Sequence, residues 1–308
     1  TIYYLPKPLK FPINYPVGDD LEFAKEYKKM RFLPLSIWQR WYQGNGFEES
    51  DRQELIAKVK GDKEYAPKTL ENSCVFSYGK THAFEKQPKV AIDRLTRATN
   101  LYYTSFVRYR SEEQNKSGLY FLIQLNDTSL ENDLKAALAL LGDEGLGGER
   151  SSGAGRFTPS WDELHKLPDQ TWQNVINFSE GNCHSLMSLY WDDSIISLTN
   201  SSYELQERGG WIASPFSGRQ LRRKSVKMFT EGSTFIEIPR GKLADVTPRD
   251  DKDIAIFILL WYSFRAQSLA PLRWNVLRWI NNRCNRLSDH DIYRSGISLS
   301  IPIKVSEE

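Results

Sequence analysis

Residues 118–157 read GLYFLIQLNDTSLENDLKAALALLGDEGLGGERSSGAGRF. The run at 118–125 is almost continuously apolar, which predicts a central β-strand. Leucines then recur at helical spacing from Leu130 to Leu141, behind a capping-box pattern at 128–131, and these features predict an amphipathic helix. A glycine-rich loop follows, and strand-like sequence resumes beyond it. The order strand, helix, glycine loop, strand is the unit from which the fold can be built.

The sequence around this unit predicts an α+β protein. Strand-like segments occur at 101–110, 186–191, 235–238 and 296–305, and the last of these alternates between apolar and polar residues. Residues 35–42 form a short apolar pattern that is typical of a helix and that ends at a glycine. Several antiparallel strands with helices on one face indicate a ferredoxin-like arrangement.

We divide the chain into two parts. Residues 1–117 form an N-terminal ferredoxin-like part with a hairpin region, and residues 118–308 form a C-terminal ferredoxin-like part with the glycine-rich loop at 142–157. Residues 251–289 are helix-like and hold three tryptophans, and between 265 and 286 there are five arginines and no acidic residue. Its tryptophans and arginines suit a docking surface or an RNA contact.

Composition limits the classes of function. The net charge is only +2, so any nucleic-acid site must be a local patch. The three cysteines form no CxxC pair and the four histidines form no HExxH motif, which argues against a zinc site and fits a reducing cytoplasm. The longest apolar run, at 254–264, is too short to span a bilayer. We predict no metal, no cofactor and no membrane partner.

The loop at 142–157 is the most informative segment. Its six glycines allow left-handed backbone and close approach to a ligand, and consecutive amides can form a concave nest for a phosphate. Its acidic residues outnumber Arg150 and Arg156, so phosphate binding must come from amides and hydroxyls with the two arginines turned inward. The loop matches neither a P-loop nor a dinucleotide fingerprint. The alternative is a surface loop without a ligand.

Two further segments are basic. Residues 208–227 carry six basic residues and no acidic one, with Trp211 and Phe216 interleaved, which favours contact with a sugar-phosphate backbone and unstacked bases. The alternative is an edge strand guarded by charges. Residues 89–97 hold Arg94 and Arg97 near an aspartate, and the alternative there is a hairpin with one weak ion pair.

At this point the loop resembles a known signature. LGDEGLGGERSSGAGRF is similar to the glycine loop of the RAMP family that forms subunit four of the Csm complex in type III CRISPR systems. IDRLTR at 92–97 with the strand after it looks like the family's hairpin region, LRRKSVKMFTEGSTF at 221–235 like its downstream strand pair, and GKLADVTP with DIYRSGISLSIPI like its closing strands. The pattern of the family's first strand and helix is not found here, so the first ferredoxin-like unit is expected to be incomplete or to be supplied by another segment. Residues 251–289 lie where the family is expected to have a short connection, so this segment looks like an insertion.

The resemblance implies a non-catalytic subunit that caps the 5′ repeat-derived handle of the guide RNA in antiviral defence. It also implies contacts with the large polymerase-like effector subunit and the first backbone RAMP subunit of the filament, and an indirect relation to target RNA. Base pairing would read the target sequence while the protein holds RNA shape and phosphates. The predicted RNA-binding residues are Gly147, Gly148, Arg150, Ser151, Ser152, Gly153, Gly155 and Arg156 in the loop, Arg94 and Arg97 in the hairpin, and Arg219, Arg222, Arg223 and Lys224 in the basic segment.

Two other functions are compatible with the same sequence. A guide-processing endoribonuclease of the same superfamily would use a histidine as general acid or base. A protein-interaction scaffold would contact RNA little and would show a flat salt dependence. The basic segment either completes the RNA groove or faces the large subunit.

Overall fold

A computed structural model describes residues 1–16, 18, 22–62, 68–112, 115–125, 127–162, 170–194, 197–213, 220–248 and 292–306. The predicted insertion at 251–289 lies outside the described residues, as do Phe216, Arg219, His165 and His290.

The secondary structure is mixed. The helices are α1 (Ala24–Lys29), α2 (Leu35–Gln43), α3 (Glu49–Lys60), α4 (Thr69–Asn72), α5 (Glu131–Glu144) and α6 (Thr171–Ile176). The strands are β1 (Tyr4–Pro6), β2 (Phe32–Pro34), β3 (His82–Ile92), β4 (Thr99–Tyr109), β5 (Ser111–Glu112), β6 (Asn115–Lys116), β7 (Cys183–Leu186), β8 (Leu205–Arg208), β9 (Trp211–Ala213), β10 (Gln220–Arg222), β11 (Val226–Phe229), β12 (Thr234–Phe235), β13 (Leu243–Asp245), β14 (Tyr293–Ser295) and β15 (Ser300–Ile303). Short 3-10 helices lie at Val75–Lys80, Thr128–Leu130 and Arg150–Ser152.

Strand pairing is antiparallel throughout the described part of the chain. β7 is the centre of a three-stranded sheet with β12 and β15 at its sides, and the other strands pair in twos. The longest pair is the β3–β4 hairpin, in which His82 faces Tyr109 and Ile92 faces Thr99. Helices combined with small antiparallel sheets confirm the α+β prediction. The grouping into ferredoxin-like units stays a prediction.

The hydrophobic core is built around α2. The helix begins directly after Pro34 and ends at Gly44, as its sequence predicts, and it buries Trp38, Trp41 and Tyr42 completely. The Trp38 indole N–H donates to the carbonyl of Pro6 at 3.0 Å, which satisfies the polar atom of a buried aromatic ring. Burial of each such side chain contributes about 1.5–3 kcal/mol.

The same core includes side chains from the second predicted part of the chain. Trp172, Cys183, Ile301 and Ile303 belong to the cluster that contains the α2 aromatics. Ile301 and Ile303 alternate with less buried neighbours along β15, which confirms the alternation predicted for 296–305. The boundary between residues 117 and 118 stays a prediction.

A buried carboxylate fixes the junction between α2 and α3. Asp51 is 0% exposed and accepts hydrogen bonds from the Trp41 indole at 2.9 Å and from the Glu48 amide at 3.1 Å. The Arg40 guanidinium pairs with the same carboxylate and also with Glu48. Because the charge is both paired and hydrogen-bonded, it can be buried without a large penalty.

The prediction of a central strand at 118–125 is wrong. The segment has no hydrogen-bonded partner strand within the described residues, and Leu119 is 77% exposed. It borders a cavity of about 1820 Å³ that β1, residues 187–188 and residues 295–299 also line. The Tyr120 hydroxyl donates to the carbonyl of Tyr4 at 2.7 Å, so a side chain rather than a ladder attaches the segment to the fold. An apolar run becomes a central strand only where partner strands flank it.

The start of α5 also differs from the prediction. The side chain of Asp127 accepts the Ser129 amide at 2.9 Å and caps the 3-10 helix Thr128–Leu130, whereas α5 begins after Leu130 without a side-chain cap. Leu134, Leu138 and Leu141 are half-buried on one face, as expected for an amphipathic helix. The described residues between 47 and 72 form two helices, α3 and α4.

Among the described residues, none of the helices combines the length and the apolar character needed to cross a membrane.

Candidate nucleic-acid interface

The glycine-rich loop is closed at its base by backbone contacts. The Leu146 amide donates to the Gly155 carbonyl at 2.9 Å, and the Phe157 amide donates to the Gly142 carbonyl at 3.1 Å. A Cβ on Gly155, which has φ +80°, would lie 1.9 Å from the Leu146 carbonyl oxygen. Gly155 is therefore required for the loop to fold, and its side-chain-free backbone does not by itself indicate a ligand.

The tip of the loop is different. A Cβ on Gly147, Gly148 or Gly153 would meet nothing within 4 Å. The amides of Gly147 and Gly148 have no acceptor among the described residues, whereas the Gly153 amide donates to the Arg150 carbonyl at 2.9 Å. The Ser152 amide is used in the same way, by the Glu149 carbonyl. Fewer amides are therefore free at the tip than the sequence predicted. Gly147 and Gly148 are the two adjacent glycines whose amides could bind a phosphate.

A lysine of the hairpin contacts this loop. Lys89 Nζ on β3 lies 2.6 Å from Glu149 Oε2 and 3.0 Å from Ser152 Oγ. The hydrogen bond from Lys89 holds the pKa of the Glu149 carboxyl below its usual value. The glycine loop and the hairpin, which are 60 residues apart in the sequence, therefore form one continuous surface.

The two predicted loop arginines have different environments. Arg150 Nη1 lies 3.5 Å from Glu144 Oε2, and both side chains are exposed. Arg156 is exposed, and no carboxylate pairs with it among the described residues. Arg156, at the base of the loop, is therefore available to a ligand, whereas Arg150 must first leave Glu144.

The tip of the hairpin is a compact turn. Asp93 accepts the Leu95 amide at 2.9 Å and the Thr96 hydroxyl at 2.8 Å, and these bonds lower the pKa of its carboxyl. Asp93 therefore holds the turn and does not pair with the neighbouring arginines. Arg94 and Arg97 are exposed, and Arg97 has φ +57°. Leu95 between them is 94% exposed.

The basic segment forms two short strand pairs. β8 pairs with β11 through Arg208 and Val226, and β9 pairs with β10 through Trp211 and Arg222. Between the two pairs, the Arg223 amide donates to the Gly210 carbonyl at 2.9 Å. Arg222 and Lys224 are exposed and Arg223 is half-buried. The strand pair expected at 221–235 is not formed, because β10, β11 and β12 each pair with a strand outside this segment.

The described histidines, His82 and His184, and the adjacent aspartates Asp192 and Asp193 lie in structural environments. His82 Nδ1 lies 3.0 Å from the Thr81 hydroxyl, and burial lowers the pKa of His184 within β7. Asp192 accepts the Ser194 amide at 2.9 Å and pairs with Lys242, and the hydrogen bonds from Ser194 lower its pKa to about 2. In the described part of the chain, no three His, Cys, Asp or Glu side chains group as metal ligands would.

The sequence did not single out three residues that the structure places at these surfaces. Lys89 was inside a basic segment, but nothing in its neighbourhood indicated a contact 60 residues away. Arg208 at the end of β8, Arg223 just after β10 and Arg294 on β14 come together from three separate segments. The one local signal for Lys89 is its place near the turn of the hairpin, three residues before β3 ends, where a side chain can contact a neighbouring loop.

The fold and these surfaces can be compared with known proteins. A model of the RAMP superfamily matches residues 7–158, which include the hairpin and the glycine loop, and a model of the CRISPR Csm4 C-terminal domain matches residues 179–258.

Three relatives share the description "CRISPR system Cms protein Csm4". The one from Streptococcus thermophilus is 26% identical over 254 residues, which cover 80% of this chain and 71% of the relative. Those from Methanocaldococcus jannaschii and Thermococcus onnurineus are 31% and 34% identical over 181 and 154 residues. These two matches cover 54% and 50% of this chain, and only 46% and 45% of the relatives. The chain thus belongs to the RAMP superfamily and, within it, to the Csm4 family of CRISPR proteins.

Proposed function

We propose that this chain is a non-catalytic RNA-binding subunit of a type III CRISPR ribonucleoprotein, and that it caps the 5′ repeat-derived handle of the guide RNA. The observation that carries this proposal is the contact of Lys89 with Glu149 and Ser152, which joins the hairpin and the glycine loop in one surface. Loop amides, basic side chains and an exposed hairpin tip are then available to one RNA strand.

The loop supplies the phosphate contacts. The free amides of Gly147 and Gly148 can donate to phosphate oxygens without any side chain in the way. Arg156 adds a charge-assisted bond, and Lys89 and Arg150 can do the same once phosphate replaces their carboxylate partners. These contacts do not depend on base identity, as expected for a subunit that holds an end of RNA rather than reading it.

The hairpin tip acts as a wedge. The tip lies beyond Lys89 by about four residues, or about 13 Å at the rise of a β-strand. Leu95 presents an apolar side chain with Arg94 and Arg97 on either side of it. An apolar group flanked by two cations can separate stacked bases while its neighbours hold the backbone.

Partner subunits would bind other parts of the surface. The β3–β4 hairpin exposes four large apolar side chains, Phe84, Leu101, Tyr103 and Val107. Exposed apolar side chains on one element are typical of a protein interaction surface. We assign this surface to the neighbouring backbone subunit of the filament. The large polymerase-like subunit is the second expected partner, and the cytoplasm is the expected compartment.

The proposal can be tested by RNA retention. The chain is co-expressed with its neighbouring genes and purified, and the bound RNA is sequenced to map its 5′ ends. A uniform repeat-derived 5′ handle is the expected result, and random RNA or no RNA would overturn the proposal. Cleavage of repeat RNA without metal, lost on His82→Ala or His184→Ala, would identify the endoribonuclease instead.

The arginines are tested separately by fluorescence anisotropy with a labelled handle RNA. Arg150→Ala combined with Arg156→Ala is expected to weaken binding by about 1–3 kcal/mol, because the loop amides remain. An RNA of equal length with a scrambled handle is the control. Unchanged affinity in the double variant would remove the arginines from the mechanism.

A further inference from the structure

Three arginines converge where the β8–β11 and β9–β10 pairs meet. Arg208 ends β8, Arg223 follows β10, and Arg294 lies in the middle of β14. All three are half-buried. Arg294 Nη2 donates to the Gly209 carbonyl at 3.1 Å, and a Cβ on Gly210 would lie 3.8 Å from Arg223 Nε. Two adjacent glycines therefore lie against the cluster: Gly209 accepts from Arg294, and Gly210 lies beside Arg223.

Backbone hydrogen bonds hold this arrangement in place. The Lys224 amide donates to the Val246 carbonyl at 3.2 Å, and the Val246 amide donates to the Ile292 carbonyl at 2.8 Å. β13 and β14 pair through Ala244 and Arg294. The cluster thus rests on strands from distant parts of the chain, and it is not a single mobile loop of basic residues.

The cluster lacks a negative charge in the described structure. Among the described residues, no ion pair between a carboxylate and any of the three guanidinium groups is seen, and the nearest links of the cluster are to glycine backbone. The Nε atoms of Arg208 and Arg223 are buried without a hydrogen-bond acceptor. Burial, together with the positive charges of Arg223 and Arg208, lowers the pKa of Arg294. Half-buried like charges with unmet donors are unfavourable, and a bound anion would relieve both problems.

An exposed aromatic ring lies beside the cluster. Trp211 adjoins Gly210 in sequence, faces Arg222 across the β9–β10 pair and is 62% exposed. Guanidinium forks fit phosphate oxygens, and an exposed indole next to them offers a face on which a base can stack. A carboxylate of a protein partner would use the arginines but would leave the indole without a role.

We propose that Arg208, Arg223 and Arg294 form a second phosphate site, which binds one nucleotide of single-stranded RNA whose base stacks on Trp211. This inference rests on the proposed function, since it assumes that the chain binds guide RNA. It extends the RNA path from the glycine loop to the C-terminal strands, and it assigns the basic segment to RNA rather than to the large subunit.

The first test uses inorganic phosphate as the probe. The melting temperature of the full chain is measured in phosphate and in chloride at equal ionic strength. Phosphate is expected to raise the melting temperature of the unsubstituted chain more than that of Arg294→Gln. Arg52→Gln on α3, where the arginine pairs with Glu49, is the matched control and should respond like the unsubstituted chain. An equal response of all three proteins would overturn the site.

The second test uses a labelled single-stranded RNA that carries the handle. Arg294→Gln is expected to weaken binding roughly 5–30-fold, which corresponds to the loss of one charge-assisted contact. It is also expected to lower the salt slope by about 0.7, the value for one phosphate of a single strand. Trp211→Ala should weaken binding without changing the salt slope, because stacking releases no counterions.

The outcomes separate this inference from the proposed function. If the Arg150→Ala and Arg156→Ala double variant loses affinity while Arg294→Gln binds normally, the handle-binding function stands and the second site is wrong. If phosphate stabilises the chain but Arg294→Gln binds RNA normally, the cluster receives an acidic protein partner and the inference is also wrong. If neither variant affects RNA binding, both proposals fail.

Discussion

Lys89 Nζ lies 2.6 Å from Glu149 Oε2, so a strand of the hairpin is latched to the glycine loop by a carboxylate from the loop itself. Both side chains are partly shielded from solvent, and Ser152 completes the contact. A phosphate oxygen that binds Lys89 competes with this carboxylate for the same ammonium group. RNA must therefore displace Glu149 from Lys89 or bind beside it.

Glu149→Gln should make RNA binding tighter. The substitution keeps a hydrogen-bond acceptor for Lys89 but removes the competing negative charge, so we expect a decrease in Kd of roughly 2–10-fold and a steeper salt dependence. Anisotropy titrations at several salt concentrations measure both. Glu131→Gln is the control, because Glu131 also pairs with a lysine but lies at the far end of α5. Weaker binding by Glu149→Gln would show that the carboxylate positions Lys89 instead of competing with phosphate.

Two glycines of the loop should respond differently to substitution. Gly148→Leu places its side chain in open space, so the melting temperature should stay unchanged while RNA affinity falls. Gly155→Ala places a Cβ against the Leu146 carbonyl at positive φ, so the melting temperature should fall. Thermal unfolding and RNA titration of both variants give the comparison. A stable Gly155→Ala, or a Gly148→Leu that binds normally, would contradict the division of the loop into base and tip.

Arg97→Gly should separate stability from RNA binding at the hairpin tip. Arg97 adopts φ +57°, a conformation that costs a non-glycine residue about 1 kcal/mol and costs glycine little. The variant should unfold at the same or a higher urea concentration and bind RNA more weakly. Arg97→Ala is the matched control, since it loses the charge and keeps the backbone cost. Normal RNA affinity in both variants would exclude Arg97 from the interface.

Stability should rise with pH between 7 and 9 because of Lys7. Lys7 Nζ donates to the Tyr27 carbonyl at 2.7 Å and lies 3.7 Å from the centroid of its ring, and burial lowers the pKa of Lys7 to about 7. In this range the unfolded chain binds more protons than the folded one, so each pH unit adds at most about 1.4 kcal/mol.

Urea unfolding at pH 7 and pH 9 tests the role of Lys7. In Lys7→Met the free energy of unfolding should rise less between pH 7 and pH 9. The stability of the variant relative to the unsubstituted chain should therefore be greatest at pH 7. Lys25→Met, at an exposed position of α1, should keep the full rise. An identical rise in both variants would show that Lys7 is not the group responsible.

Asp51→Ala should be destabilising by about 1–3 kcal/mol, because it leaves the buried Trp41 indole without an acceptor and leaves Arg40 with Glu48 as its remaining partner. Asp51→Asn keeps an acceptor for the indole and should cost less. Urea unfolding at pH 7 compares the two. Equal losses would indicate that the charge of Asp51 contributes nothing beyond its hydrogen bonds.

The sequence predicted those elements that depend on local order. α2 and α5 follow from apolar periodicity and from the glycines at or near their ends, and the β3–β4 hairpin follows from a β-rich run after a turn. Residues 118–125 were misassigned because an apolar run does not reveal whether a partner strand lies beside it.

The sites were predicted less completely than the elements. Composition located the glycine loop and the arginines of the basic segment, but it could not distinguish Gly155, which the backbone needs, from Gly148, which faces open space. Lys89, Arg208 and Arg294 join these sites through contacts between distant segments, and no local pattern encodes such contacts. The predicted insertion at 251–289 and Arg219 stay predictions.

The β3–β4 hairpin is a two-stranded ribbon that carries no third strand along its length in the described structure. Such a ribbon bends and twists easily, so the position of its far end depends on where it is supported. One support lies at its root, where the His82 and Tyr78 ring centroids are 5.7 Å apart, and the other is Lys89, three residues before β3 ends. A ligand that takes Lys89 from Glu149 therefore removes the outer support of the hairpin and widens the range of positions that the hairpin tip can adopt.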